Sequence, residues 1–437
     1  MLGRIWKEIR AFLRWFVPGL GVKRWFLLIL AGITLLGLGL AVLVLDLYRT
    51  APTTWWLPII SFASLRFLAR PVRALIFGGL GIGLIAWGIA RLNRSLLTPF
   101  VRPGTRIVDQ LSDYRRRERG RRIVAIGGGH GLSTLLRGLK QYTNNLTAIV
   151  TVADDGGSSG ALRRTLGILP PGDIRNCLAA LSEDETVLSQ LFQYRFGQDS
   201  GLDGHSFGNL FITALAEITG SFEEAVVESG KVLAIRGKVL PSTLKDVQLL
   251  ADVALVEQAS EVRVAGESSI PGMPGRVRRV WLEPNNPPAF PPVLQELLSA
   301  DLIVIGPGSL YTSILPNLLV PDVLEAVRAS HALKIYVVNI ATQRGETTHY
   351  TCSDHVRALE DHIGTNVLDI VVCNRNTDLP MPPGTEWVQL DENLDNIGLY
   401  AADLVDVEHP WRHDSAKLSK VLIDLLNERT GPLIDRE

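Results

Sequence analysis

Four glycines, Gly127, Gly128, Gly129 and Gly131, are interrupted only by His130 and stand directly after the apolar stretch 123–126. A turn of this kind brings backbone N–H groups to one point with no Cβ in the way, and a helix leaving it offers its positive N-terminus to a phosphate. The chemistry expected there is recognition of a phosphorylated, nucleotide-like ligand. The spacing is not Gly-x-Gly-x-x-Gly, because Leu132 stands in the last glycine's place, and it is not a P-loop, because no Gly-Lys-Ser/Thr follows. Gly306 and Gly308, with Ser309, Tyr311 and Thr312, follow the apolar stretch 302–305 and repeat the same logic.

Asp154 and Asp155, followed by Gly156, Gly157 and Ser158, close a second apolar stretch. A carboxylate at that place binds ribose hydroxyls in dinucleotide folds; a pair of them could instead hold Mg²⁺ or deprotonate a substrate hydroxyl. An Asx turn explains one aspartate readily and two less well. Asp173, Arg175 and Asn176 open a helical stretch, with Asp173 expected as its cap and Arg175 as a fork-shaped donor to phosphate. His205 and Asn209 lie in a polar loop entering another helix, where the histidine is an acid-base group or a hydrogen-bonded structural one. Thr342 and Gln343 carry hydroxyl and amide groups suited to a base or sugar. Asp154, Asp155 and Arg175 are the catalytic candidates.

These loops need a scaffold that ends many strands on one side. From residue 122 onward, short β-branched runs alternate with helical periodicity, which predicts a Rossmann-like α/β fold, a mainly parallel sheet with helices on both faces. Strands are expected at 123–126, 146–152, 302–305, 335–339 and 368–373, with an antiparallel excursion over 247–256, 261–264 and 277–282. Helices are expected at 132–139, from Asp173 to residue 181, at 207–218, after a Ser221–Glu224 capping box, and at 415–426. In such sheets ligands sit beyond the carboxyl ends of the strands, where all of these polar loops fall.

Ahead of this domain, residues 25–45 form an apolar run without a charge and residues 74–90 a second, glycine-rich one. Both have about the length of a membrane span, so residues 1–100 are expected to be an anchor with two transmembrane helices. Arginine and lysine before the first run and after the second place the N-terminus and the main domain in the cytoplasm, at a cell membrane. Residues 101–121 are a basic linker, and 122–437 the cytosolic domain. A net charge of −1 supplies no global field for nucleic acid, and none is expected as a partner. The cysteines Cys177, Cys352 and Cys373 form no Cys-x-x-Cys pair, so neither a disulfide framework nor a zinc site is expected. His349 and His355 are close in sequence but belong to no metal-binding pattern.

The blocks 127–140, 149–160, 170–176, 204–209, 305–320 and 342–347 resemble those of YvcK-type proteins, bacterial gluconeogenesis factors within the wider CofD-like family. The resemblance covers residue 122 to the C-terminus. It implies a Rossmann-like core binding a nucleotide sugar, UDP-N-acetylglucosamine, with no required cofactor. It also implies a role in cell shape and envelope precursor supply during gluconeogenic growth, exerted on regulated protein partners. The CofD branch implies the alternative, a magnesium-assisted transfer of a phospholactate-type group from a nucleotide diphosphate to an acceptor alcohol. Self-association as a homo-oligomer is compatible with either. His130 stands where the YvcK turn usually has threonine, which would replace a hydroxyl contact to phosphate with an imidazole.

Overall fold

The computed structural model describes residues 30, 33–35, 37, 41, 62, 65, 67–97, 116–182, 187–197, 201–255, 261–391 and 397–430. The chain divides into two units, one spanning Met1–Arg116 with Ile434–Glu437 and the other Arg117–Leu433.

The larger unit is built on a seven-stranded sheet in which every pairing is parallel. Its strands are β1 (Ile123–Gly127), β2 (Leu146–Val150), β3 (Lys238–Pro241), β7 (Leu302–Ile305), β8 (Leu333–Val337), β9 (Ile370–Asn374) and β10 (Gly398–Ala402), in the order β10-β9-β8-β7-β1-β2-β3. β1, β2 and β7 are buried at every position, as continuous Val, Ile and Leu runs covered on both faces must be. The chain runs outward from β1 in one direction through β2 and β3, then returns to β7 and runs outward in the other. The order therefore reverses between β1 and β7.

A separate antiparallel sheet, β5-β4-β6, is inserted between β3 and β7 from β4 (Gln248–Leu255), β5 (Glu261–Ala265) and β6 (Gly275–Glu283). The excursion expected from the sequence is thus a small sheet of its own. Between β5 and β6 it carries a 3₁₀ turn, Glu267–Gly272, which packs on the loop after β8: a Cβ on Gly345 would collide with the backbone of Pro271.

Several local expectations change. β3 and β10 were not expected; they are short edge strands of the sheet whose sequences alternate in burial or carry Gly and Ala. The helix Gly172–Leu181 receives no side-chain cap, and Asp173 sits inside its first turn. Ser221 does accept from the Glu224 amide, but its own amide donates to Thr219 Oγ1, so half of the expected box forms. Cys352 and Cys373, 21 residues apart, are joined by a disulfide that their spacing does not announce, because the fold brings the start of helix Cys352–Ile363 beside β9. Cys177 is free and buried.

The expected transmembrane hairpin finds no support among the described residues, where no helix is long and apolar enough to cross a membrane. Most of the run 25–45 lies outside the described residues. The second run lies in the helix Arg70–Leu97, whose Leu75, Phe77, Leu80, Ile82 and Trp87 are exposed.

Candidate functional site

Both glycine turns end strands that are neighbours in the sheet, β1 and β7, on the two sides of the reversal. They are locked together by backbone. A Cβ on Gly131 would lie 2.5 Å from the Pro307 carbonyl oxygen and 3.0 Å from the Gly308 nitrogen, so only glycine allows this approach. Asn317 Nδ2 reaches back to the Gly127 carbonyl at 3.0 Å. Asn339, two residues beyond the end of β8, holds the second turn from the other side: Gly308 N–H donates to its Oδ1 at 3.1 Å, and its Nδ2 donates to the Gly308 carbonyl at 2.8 Å.

The helix Gly129–Leu139 starts within the first turn, with Gly129 at φ +63° and no side-chain cap at Gly128. Its positive end, where the Gly129 amide donates to Asp173, faces a cleft of about 600 Å³, lined on one wall by Gly128, Gly129, His130, Gly131, Gly308 and Ser309. This volume is within the ordinary range for a small-molecule site. Thr342 and Gln343 line it from the loop after β8; Gln343 Nε2 donates to Ser309 Oγ at 2.8 Å, while its buried Oε1 has no partner. Trp411 and Arg412 line the side contributed by the loop after β10. That loop is held by His413, whose buried Nε2 donates to the Val338 carbonyl at 3.2 Å.

Three carboxyl groups reach the cleft: Asp154, Asp173 and Glu267. Asp173 leaves a strip of surface toward it and is otherwise enclosed. Desolvation and then the charge of Asp154 push Asp173 up to about 7, against the opposing effects of the Gly129 amide it accepts from and the Arg175 guanidinium. Half-buried Glu267 is pushed up to about 9 by desolvation and by Asp154, Asp173, Glu346 and Asp155. At the rim, partial burial and then the guanidinium groups of Arg412, Arg175, Arg137 and Arg195 hold His130 below the ordinary imidazole range, so at pH 7 it is neutral. Of these arginines Arg412 lines the cleft, where its charge favours an anion.

The other expected residues are placed differently. Asp155 turns away from Asp154: its Oδ1 accepts from the Ser268 amide at 2.9 Å, whereas Asp154 Oδ1 accepts from the Gly156 amide at 2.9 Å. The pair does not converge on one point, and among the described residues no three His, Cys, Asp or Glu side chains are grouped to hold a metal. The donor set therefore does not fit a magnesium ion held by these two aspartates alone. Tyr311 and Thr312 point into the core, where the Tyr311 hydroxyl pairs with that of Tyr350 at 2.9 Å and Thr312 Oγ1 donates to Glu346 at 3.1 Å. Gly127 and Gly306 shape the turns from behind without lining the cleft, as Gly156 and Gly157 do for the Asp154 loop.

Ser158, His205 and Asn209 do come together, but outside the cleft wall: Ser158 Oγ lies 3.0 Å from His205 Nδ1, and Asn209 Nδ2 donates to it at 3.0 Å. Arg175 is buried with its Nη2 on Asn176 Oδ1 at 2.8 Å. Burial lowers this guanidinium to about 10, which leaves it charged at neutral pH. His355 is buried in helix Cys352–Ile363, and His349 pairs with Glu386 at the surface.

Residues 123–427 match the family described as 2-phospho-L-lactate transferase CofD. A relative from Nostoc sp. is 49% identical over 377 residues, 85% of this chain and 80% of its own. The gluconeogenesis factor of Bacillus subtilis is 47% identical over 324 residues, 70% of this chain and 98% of its own. The crystal structure of a UPF0052-family protein from Bacillus halodurans superposes with a TM-score of 0.65 at 43% identity, covering 70% of this chain and 99% of that one.

Proposed function

The chain belongs to the CofD family, and from that premise we propose that it is a nucleotide-sugar-binding regulatory protein of the gluconeogenesis-factor kind, with UDP-N-acetylglucosamine as its ligand. The observation that carries this reading is the position of the cleft at the reversal of strand order, between two glycine turns interlocked at Gly131 and Pro307. Such switch points are where open α/β sheets bind nucleotides. The positive helix end at Gly129 and the Arg412 guanidinium on the cleft wall suit a diphosphate. Trp411 offers an aromatic face for a base, and Thr342 a hydroxyl for a base or sugar. Occupancy would bias the domain toward one conformer that acts on partner proteins, in support of envelope precursor supply and cell shape. No cofactor is required for this.

Calorimetric titration of the full-length chain with UDP-N-acetylglucosamine and with GDP tests the reading. Micromolar binding of the sugar nucleotide, recovered chemically unchanged, is the expected result. Absence of binding for both nucleotides would refute it. The second reading, a transferase of phosphorus-containing groups, is favoured by Asp173 and Glu267, carboxyls beside the cleft that hold protons near neutral pH. Turnover of the bound nucleotide in the presence of an acceptor alcohol would select it.

We also propose that the N-terminal unit attaches the protein to the cell membrane, with the main domain on the cytoplasmic side. Support comes from the uncharged run 25–45 and from the row of exposed apolar side chains on helix Arg70–Leu97. The full-length chain is expected to float with liposomes in a density gradient, and a chain lacking residues 1–100 to remain at the bottom. Equal flotation of the two would reject the attachment.

A further inference from the structure

Beside the cleft, the start of helix Gly157–Leu166 meets the start of helix Phe207–Thr219, and the side chains gathered there are incompletely satisfied. Ser158 is shared between His205 and Asn209, but Asn209, 2% exposed, has its Oδ1 buried without a partner. Because the Ser158 hydroxyl can donate or accept, the Asn209 amide could be turned over. One end of it stays open in either orientation. Arg175, 4% exposed, leaves both Nε and Nη1 buried without a partner. Its stem runs against the backbone of the same helix start: a Cβ on Gly208 would lie 2.8 Å from Arg175 Cδ.

A buried guanidinium with two unpartnered nitrogens, three N–H groups in all, is costly, since each lost hydrogen bond leaves a desolvated donor behind. Asp173 and Asp154 act on it through their charge, but neither is hydrogen-bonded to the two orphaned nitrogens. Helix Gly157–Leu166 has no side-chain cap, so its first amides add to the donors nearby. These residues lie outside the wall of the glycine-turn cleft.

We propose that Arg175, Ser158, His205 and Asn209 form a second oxyanion subsite, separate from the glycine-turn cleft, that takes inorganic phosphate or the phosphoryl end of a phosphate monoester. Arg175 supplies an N–H from Nε or Nη1, which lie on opposite edges of the guanidinium, and Asn209 an amide N–H in its turned-over orientation, which Ser158 holds by donating to Asn209 Oδ1 and accepting from His205 Nδ1. The subsite does not depend on the identity of the ligand in the main cleft.

The test is calorimetric titration of the full-length chain with inorganic phosphate and, separately, with glucose 1-phosphate, each with and without saturating UDP-N-acetylglucosamine. Binding of one of the two anions is expected to persist when the sugar nucleotide is present, and the anion that binds more tightly identifies the source. Arg175→Met and Asn209→Asp are each expected to weaken it by roughly 10- to 100-fold, as loss of hydrogen bonds to a charged group does. Melting temperature monitors folding, and the near-isosteric Asn209→Asp decides the matter if Arg175→Met does not fold. Displacement of the anion by the sugar nucleotide, failure of the wild type to bind either anion at millimolar concentration, or equal binding by a folded variant would overturn the proposal. Arg175-dependent anion binding by a chain that ignores UDP-N-acetylglucosamine would uphold the subsite and refute the proposed nucleotide ligand.

Discussion

Gly131→Ala is expected to lower stability by about 1–3 kcal/mol, the usual cost of forcing a methyl group into a packed interior, and to weaken ligand binding by roughly 10- to 100-fold. The added Cβ would stand 2.5 Å from the Pro307 oxygen and 2.8 Å from its carbonyl carbon. Both are backbone atoms of the second glycine turn, so no side-chain rotation relieves the contact. The two turns must separate, and with them the donors that face one ligand from β1 and from β7. Gly129→Ala provides the contrast. Its φ of +63° costs an L-residue about 1–2 kcal/mol, but its Cβ would meet only Ser313 Oγ at 3.9 Å. Stability should fall in that variant while the spacing of the turns, and therefore most of the affinity, survives. Urea unfolding and nucleotide titration of the two variants check both effects. Wild-type affinity in folded Gly131→Ala would mean that the second turn is no part of the binding site.

The fate of individual residues shows what the sequence makes legible. The five central strands are readable because strands covered on both faces are uninterrupted apolar runs, and the polar loops after them stand out by contrast. β3 and β10 escape because edge strands need only partial burial: the burial of Lys238–Pro241 alternates, and Gly398–Ala402 has no fully buried position. Missing β10 also hides Trp411 and Arg412, since the loop that carries them is recognisable as a site loop only once the strand before it is known. Glu267 is hidden for another reason. It reaches the cleft from the inserted antiparallel sheet, through a contact distant in sequence. Asp155 shows the reverse error: its neighbour Asp154 faces the cleft, and one residue further along the chain the carboxylate turns to cap the inserted 3₁₀ turn. Adjacency in sequence does not bring two carboxylates to one ligand.

Asp173→Asn is expected to change how the protein responds to pH, and the sign follows from where the carboxyl is held. Its value rises from 3.8 in an unfolded chain to about 7 in the fold. The folded state therefore binds the proton more tightly, and stability falls as pH rises from about 4 to about 7, then levels off. The upper bound is on the order of 4 kcal/mol, reduced by the strip of Asp173 open to the cleft. Asparagine keeps an acceptor for the Gly129 amide and removes the charge, so the variant should be more stable than wild type above pH 7 and show a flatter profile below it. Glu346, pushed up to about 7 by burial, contributes a slope of the same sign in both proteins, whereas Glu267, pushed up to about 9 in part by the Asp173 charge, is relieved of that charge in the variant, so the difference between the two melting curves reports Asp173 together with its coupling to Glu267. Binding carries the same logic further. A diphosphate set against the Gly129 turn brings negative charge beside Asp173, raises its proton affinity again and takes up a proton. Affinity for UDP-N-acetylglucosamine should thus fall as pH rises from 6 to 8 in the wild type, and do so less steeply in Asp173→Asn. Titrations in two buffers of different ionisation enthalpy measure the proton uptake directly. An uptake equal in the two proteins would place the titrating group elsewhere.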